Sequence, residues 1–288
     1  MGIYFGIDNG YFKDEGLDVT VTPYPGSTTS VRALLSRDAD VVMTGTNVFD
    51  ARTNGAPVKI ISSPIDHPTD VWVGSKNLSS IKDLAGKSVA ISTPNSPGHI
   101  ETKLLAQKNG VNPDSIQYVA IGGPADRIRA LLSGKVDATT VTALGQKPLL
   151  DAIDAGQVKI LDTGAKEFPE LPLAYDIATE ETIKNQAPML ASFIKAEIKG
   201  YRWAQQNPDK AAAIATKYVP EADAAVMTRS MRDMADLNVL GVDGGISVAG
   251  VDKTQQTLSQ QGAISKPVKA EEITDTTFVD QAVKSLGS

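Results

Sequence analysis

An internal repeat restricts what this chain can fold into more than any single segment does, because a duplicated unit must build the same layered structure twice. Arg32-Ala33-Leu34-Leu35-Ser36 recurs as Arg129-Ala130-Leu131-Leu132-Ser133, an offset of 97 residues. Asp40 and Asp137 keep that offset, as do Gly26 and Gly123. Further on, Val58-Lys59-Ile60-Ile61 resembles Val158-Lys159-Ile160-Leu161, and Ile81-Lys82-Asp83 resembles Ile183-Lys184-Asn185, with the offset drifting to 100 and 102 as short insertions accumulate. Each string alone is ordinary helix or strand sequence. Their matched order and spacing define a duplicated α/β unit.

Within the first unit, residues 18–24 alternate β-branched and polar side chains and predict a strand, residues 27–36 carry apolar positions at helical spacing, and residues 41–44 predict the next strand. The second unit repeats the pattern with strands over 116–121 and 138–142 around a helix over 126–133. Strands alternating with helices imply an α/β fold of two Rossmann-like lobes with parallel-rich sheets and right-handed crossovers. In the second unit a strand over 88–92 and a loop over 93–96 precede the helix 97–108, whose counterpart runs from about residue 3 to 13. No counterpart of that strand stands before Ile3, so the first lobe is expected to lack its opening strand, and the start is expected to be a truncation or a misassigned start rather than a mature terminus. Beyond the second unit, residues 186–206, 208–218 and 221–237 predict amphipathic helices that would cover the first lobe, with Asn207-Pro208 as cap and first helical position. Met189, Leu190, Phe193, Ile194, Ile198 and Tyr201 form an apolar stripe suited to a core. Residues 241–245 predict a flexible break before final helices over 248–261 and 276–286.

With 288 residues and 41% hydrophobic composition, the chain can fill a core in each lobe. A formal charge of -6 and a pI near 5.0 argue against nucleic acid and against anionic membrane surfaces, which select basic faces. No stretch approaches the roughly 18 apolar residues that a membrane span needs, and no N-terminal segment joins a basic start to an apolar core, so the chain as it stands is expected to be soluble and without an export signal. It has no cysteine, which removes disulfides, thiolate metal sites and thiolate nucleophiles. The two histidines, His67 and His99, form no metal motif, and no nucleophile elbow, Walker loop or dinucleotide fingerprint is present. Neither catalysis, a cofactor nor a metal is therefore expected.

Ligands of open α/β sheets bind beyond the carboxyl ends of strands, which directs attention to the loops after each strand. In the first lobe these contain Ser27 and Thr28, Thr46 and Asn47, and Asp66 and His67; in the second they contain Asn95, Ser96 and His99, Gly123, and Thr142. Several lead directly into helices, whose free N–H groups receive anionic oxygens without any arginine or lysine. Ser, Thr and Asn are equally suited to ordinary N-capping, and both readings stand at this point. Asp66 suits a ligand amine or a polar ring N–H, or a solvated turn. His99 falls in a first helical turn that disfavours imidazolium, and Tyr4 is placed either to lay its ring on a ligand or to pack.

Gly10-Tyr11-Phe12-Lys13-Asp14-Glu15-Gly16-Leu17-Asp18-Val19, followed by Pro25-Gly26-Ser27 and Ala39-Asp40-Val41, resembles the opening of nitrate/taurine/alkanesulfonate-type substrate-binding proteins of ABC importers, within the thiamine-precursor-synthase-like superfamily. The resemblance continues through Ile81-Lys82-Asp83-Leu84-Ala85-Gly86-Lys87, Gly134-Lys135-Val136-Asp137-Ala138 and Tyr201-Arg202-Trp203-Ala204 and covers nearly the whole chain. It implies a type II periplasmic-binding-protein fold, with lobe 1 over 1–70 and 178–288, lobe 2 over 76–172, and a two-segment hinge near 68–77 and 172–179. It further implies capture of a small organic anion or zwitterion such as a sulfonate, a taurine-like compound or a carboxylate, presentation to a membrane permease, a monomeric state and a periplasmic or extracytoplasmic location. The family has a strand before the position of Ile3, which repeats the expectation drawn from the duplication. Two other classes remain open: an enzyme on the same fold, similar to thiamine-pyrimidine synthases or to dehydratases of menaquinone synthesis, and a ligand-sensing domain. Those synthases carry a cysteine-rich motif that this chain lacks, and no helix-turn-helix segment accompanies the chain.

Overall fold

A computed structural model describes the chain except residues 1, 25–26, 95, 143–145, 169–170, 173, 220–222, 261, 263, 265 and 288, together with the side chains of Ser27, Pro97 and Thr142. Among the described residues the β-branched and apolar runs form eight strands: β1 (Val42–Thr44), β2 (Val58–Ile65), β3 (Asp70–Ser75), β4 (Ser88–Ile91), β5 (Gln117–Ala120), β6 (Ala138–Thr142), β7 (Val158–Thr163) and β8 (Ala174–Thr179). The chain divides into two units, residues 1–68, 169–220 and 238–288 forming the first and residues 69–168 and 221–237 the second.

The second unit has a five-stranded sheet of order β5-β4-β6-β3-β7. β4 lies parallel between β5 and β6, while β3 runs antiparallel to both β6 and β7. Burial on both faces requires β4 to be apolar along its length, and Val89, Ala90 and Ile91 are buried. Asp137 anchors the entrance of β4: its carboxylate accepts from the Ser88 amide at 2.9 Å and the Ser88 hydroxyl at 2.8 Å. These bonds, the backbone one foremost, hold its pKa below the usual carboxylate value.

The first unit has a three-stranded sheet of order β1-β8-β2 in which every pairing is antiparallel. Among the described strands, the expected parallel pairing is thus confined to β5-β4-β6, apart from an isolated parallel bridge between Ile60 and Thr274. Residues 18–24, expected as a strand, belong to no ladder, although burial still alternates from Leu17 to Thr22. A strand needs a neighbour to take its backbone N–H and C=O groups, and no described strand lies beside this segment. Residues 17–24 instead form one wall of a groove of about 770 Å³ whose other wall includes Asp40, Val41 and Met43.

Among the described residues, two apolar clusters lie in this unit. Val42, Phe49, Ile60, Tyr175, Ile177 and Val251 form one, and Phe12, Ile61, Leu190, Phe193, Ile194 and Phe278 the other. The stripe on helix Ala187–Gln206 is therefore core. The helix expected over 3–13 breaks at Gly10, whose φ of 78° is a left-handed conformation open to glycine, giving helices Gly2–Asp8 and Tyr11–Asp14. Two further expectations are corrected. Helix Ala224–Asp236, assigned by sequence to the first lobe, belongs to the second unit, where Val226 joins the core of Val71, Ala90, Leu131 and Leu149. The glycine stretch 241–245 is not a loose break: Gly244 O accepts from Ser63 N at 2.7 Å and Gly241 N donates to Pro64 O at 3.1 Å, fastening it to the end of β2. The stretches 68–77 and 172–179 contain β3 and β8, each hydrogen-bonded within the sheet of its own unit.

Candidate functional site

In the first unit the candidate residues follow β1 and β2. Thr44 ends β1 with its hydroxyl buried and without a hydrogen-bond partner among the described residues, and Thr46 and Asn47 follow it into helix Asn47–Thr53. Thr46 occupies the N-cap position but makes no side-chain cap bond, so its hydroxyl is not consumed by ordinary capping. Thr28 is exposed in the first turn of helix Ser27–Leu35; the Ser27 side chain lies outside the described residues.

Asp66 and His67 follow β2. Asp66 Oδ1 and His67 Nδ1 are both buried with no hydrogen-bond partner among the described residues, and His67 Nε2 lies 3.8 Å from Asp66 Oδ1. Burial raises the Asp66 pKa to about 6, His67 opposing and the charge of Asp243 reinforcing the rise. Sequence reasoning missed the glycine stretch that shapes this corner. A Cβ on Gly245, at φ 55°, would stand 2.5 Å from Asp66 Cβ and 2.6 Å from Ser63 O. Only glycine allows that segment to close over Asp66.

In the second unit Ser96 sits at the N-cap of helix Pro97–Lys108, again with no side-chain cap bond; Asn95 lies outside the described residues. Gly123 precedes helix Pro124–Leu132 and is exposed. His99 is buried, its ring edge-on to Tyr118 with centroids 4.5 Å apart. Burial first, and the charge of Lys103 second, lower its pKa, so the imidazole is neutral near pH 7. Thr142 pairs with Asp70 across β6 and β3. The Thr142 side chain lies outside the described residues.

That pairing exposes a polar cluster that no loop pattern announced. Asp70 is buried, and a Cβ on Gly98 would meet Thr140 Oγ1 at 2.8 Å and Asp70 Oδ1 at 3.8 Å. Buried Arg127 donates from Nη2 to Thr140 O at 3.2 Å and from Nη1 to Gly122 O. Glu101 has a buried Oε2 without a hydrogen-bond partner among the described residues. Burial, then the charge of Asp70, pushes its pKa well above the usual value. Asp70, Glu101 and Arg127 all lie inside regular elements, where a charged side chain looks like a solvated face.

Tyr4 is not among these loops. It lies in helix Gly2–Asp8 with its ring stacked on Tyr218 at 3.9 Å, and it lines the groove beside residues 17–24. Among the described residues no cluster of His, Asp and Glu is arranged to hold a metal ion, and no helix is long and apolar enough to cross a membrane. Hydroxyls at helix starts that make no cap bond, such as those of Thr46 and Ser96, suit oxygen anions, and a buried carboxyl oxygen such as that of Asp66 suits an N–H donor.

The fold is that of the periplasmic binding proteins. A putative sulfonate ABC transporter component, the periplasmic sulfonate-binding protein SsuA from Methylobacillus flagellatus KT, superposes with a TM-score of 0.75 at 18% identity, covering 99% of this chain and 88% of that one. The desulfurization enzyme DSZB shares the fold as well, with a TM-score of 0.68 at 12% identity over 99% of this chain and 96% of its own. Residues 1–211 match the family described as NMT1/THI5 like, and the chain belongs to that family. A curated relative, the formylaminopyrimidine-binding protein of Halalkalibacterium halodurans, is 25% identical across 94% of this chain and 84% of its own length.

Proposed function

We propose that this chain is the solute-binding component of an ABC importer, acting outside the cytoplasmic membrane, handing its cargo to a membrane permease and performing no reaction on it. The observation that carries the reading is its match, over 94% of its length, to a relative named as a binding protein. The chemistry of the loops agrees: hydroxyls free of capping duty and backbone N–H groups at helix starts receive a small organic anion or zwitterion, whether a sulfonate, a taurine-like compound or a carboxylate. No cysteine is available as a nucleophile, and the buried carboxyl groups serve recognition.

One observation favours a second ligand class. Asp66 presents a buried carboxyl oxygen without a hydrogen-bond partner among the described residues, and such an oxygen pairs with an amino or ring N–H donor better than with a sulfonate. An aminopyrimidine-like heterocycle suits that acceptor, and the relative named for formylaminopyrimidine supports including it. The test is a thermal-shift and calorimetric screen of sulfonates, taurine, carboxylates and aminopyrimidines, followed by Asp66→Ala and Ser96→Ala. A true ligand at one hundred times its dissociation constant adds about 2.7 kcal/mol of stability. Loss of an aminopyrimidine signal in Asp66→Ala assigns the heterocycle; loss of a sulfonate or carboxylate signal in Ser96→Ala assigns the anion. A ligand whose affinity both variants retain overturns the site, and a compound chemically altered on incubation overturns the passive role.

A further inference from the structure

Asn-Gly occurs three times in the chain, as Asn9-Gly10, Asn54-Gly55 and Asn109-Gly110, and each time it ends a helix. The glycines close the last turn in the left-handed conformation, with φ of 78°, 86° and 77°. Each asparagine side chain adds a second hydrogen bond to the carbonyl four residues back, which already takes its backbone N–H. Nδ2 of Asn9 donates to Phe5 O at 2.8 Å, that of Asn54 to Asp50 O at 2.8 Å, and that of Asn109 to Leu105 O at 2.9 Å.

The dipeptide that makes a good helix end is also chemically labile. Glycine carries no side chain to hinder its backbone nitrogen, which attacks the asparagine Cγ. An N–Cγ bond forms, the Cγ–Nδ2 bond breaks, and Nδ2 leaves as ammonia with the proton of the glycine amide. Water then opens the cyclic imide at either carbonyl, giving aspartate or isoaspartate, the second with an additional methylene in the main chain. Ring closure needs both reacting groups free, and these helix ends hold both. Besides the Nδ2 bonds, Gly10 N donates to Ile7 O at 3.0 Å, Gly55 N to Arg52 O at 2.9 Å, and Gly110 N to Gln107 O at 3.0 Å. Reaction waits on local opening of the turn, and the three turns differ in what opening disturbs.

At Asn109 the residue after the glycine is Val111, which is buried and donates to Ala106 O at 2.9 Å, so opening exposes an apolar side chain. Asn9 and Gly10 are half-buried between helices Gly2–Asp8 and Tyr11–Asp14, and Gly10 O accepts from Asp14 N at 3.0 Å, so opening disturbs the second helix too. Asn54 and Gly55 are both exposed, the half-buried Ala56 that follows gives up only a methyl group, and the helix they close, Asn47–Thr53, has seven residues.

We propose that Asn54-Gly55 is a site of spontaneous modification in the folded protein, held back by its cap yet converting to aspartate and isoaspartate ahead of the other two pairs. The product does not fit the cap that slowed its formation. A carboxylate cannot donate to Asp50 O, it adds negative charge at the negative end of the helix, and it stands four residues from Asp50. Conversion therefore loosens helix Asn47–Thr53. None of this depends on which solute the protein carries.

The test ages the folded chain in mildly alkaline buffer beside a sample aged in urea, then digests both and measures aspartate and isoaspartate at the three positions by mass spectrometry. The quantity read is the retardation, the rate in urea divided by the rate in the folded chain. All three positions are retarded, and Asn54 about tenfold or more less than Asn9 or Asn109. Asn54→Gln removes the product at that position and leaves the other two rates unchanged. Asn54→Asp lowers Tm by roughly 2 °C or more and speeds amide exchange across residues 48–54 several-fold. Retardation at Asn9 or Asn109 as small as that at Asn54 overturns the proposal, as does an equal rate at Asn54 in the folded and urea-treated chains. Unchanged melting and exchange in Asn54→Asp overturn the consequence for the helix.

Discussion

The carboxylate of Asp66 loses most of its water on folding and gains only a distant histidine and its own backbone N–H, while Asp243 adds a second negative charge nearby. Its pKa therefore rises from 3.8 to about 6, and the native state holds a proton that the unfolded chain has released. Stability must then fall as pH climbs through that window, and the full penalty is present above about pH 6. Asp66→Asn should be more stable than the parent by about 1–2 kcal/mol at pH 7.5, after discounting the shift for remaining solvent access, and equal to it near pH 4. Urea unfolding at the two pH values measures this, and an equal difference at both would refute the assignment. A destabilising acid kept beside Gly245, whose left-handed backbone and close approach to Asp66 Cβ leave no room for a side chain, is the kind of local conflict found at binding sites. Asp66 and Ser96 were legible as candidates because they stand in loops directly after strands, and His99 because it lies in the first turn of the helix that follows one. Asp70, Glu101 and Arg127 were not, since only the register of β3 on β6 and the approach of Gly98 to Thr140 reveal them.

Helix Ala187–Gln206 is the principal scaffold of the first unit, and it meets helix Gly2–Asp8 through small residues. A Cβ on Gly200 would stand 3.0 Å from both Gly2 O and Gly6 N, and one on Gly2 would run into the Tyr201 ring. The approach is backbone against backbone, with no flexible side chain to yield. Gly200→Ala gains helix propensity but overpacks this contact, and it should cost about 1–3 kcal/mol in urea unfolding. A neutral or stabilising result would mean that the two helices separate at little cost. Glu15 adds a polar clasp to the same helix. Burial works to raise its pKa, yet hydrogen bonds from Lys195 and Lys199, at 3.0 and 2.7 Å, outweigh burial and hold it low. Periodicity placed the long helices of the C-terminal part within one to three residues, because a continuous apolar stripe is a local signal. It failed at residues 18–24, where the alternation of a strand is present but the ladder that would make it one is not.

At the scale of the molecule, the second unit borrows helix Ala224–Asp236 from a stretch of chain flanked on both sides by residues of the first. Val226 is buried among Val71, Ala90, Leu131 and Leu149. Val226→Asp should therefore lower exchange protection in β4 and β6 while leaving β2 and β8 protected; the reverse pattern would return this helix to the first unit. The sequence by itself determined that the chain is a duplicated α/β protein, which helices are amphipathic, and which loops carry small polar residues. These are properties of spacing along the chain, and spacing survives in a one-dimensional string. Only the tertiary structure decided which sheet edges are filled, which unit each late helix joins, and which charged side chains lose their water. Those outcomes depend on contacts between residues far apart in sequence, where burial and strand pairing set the energy.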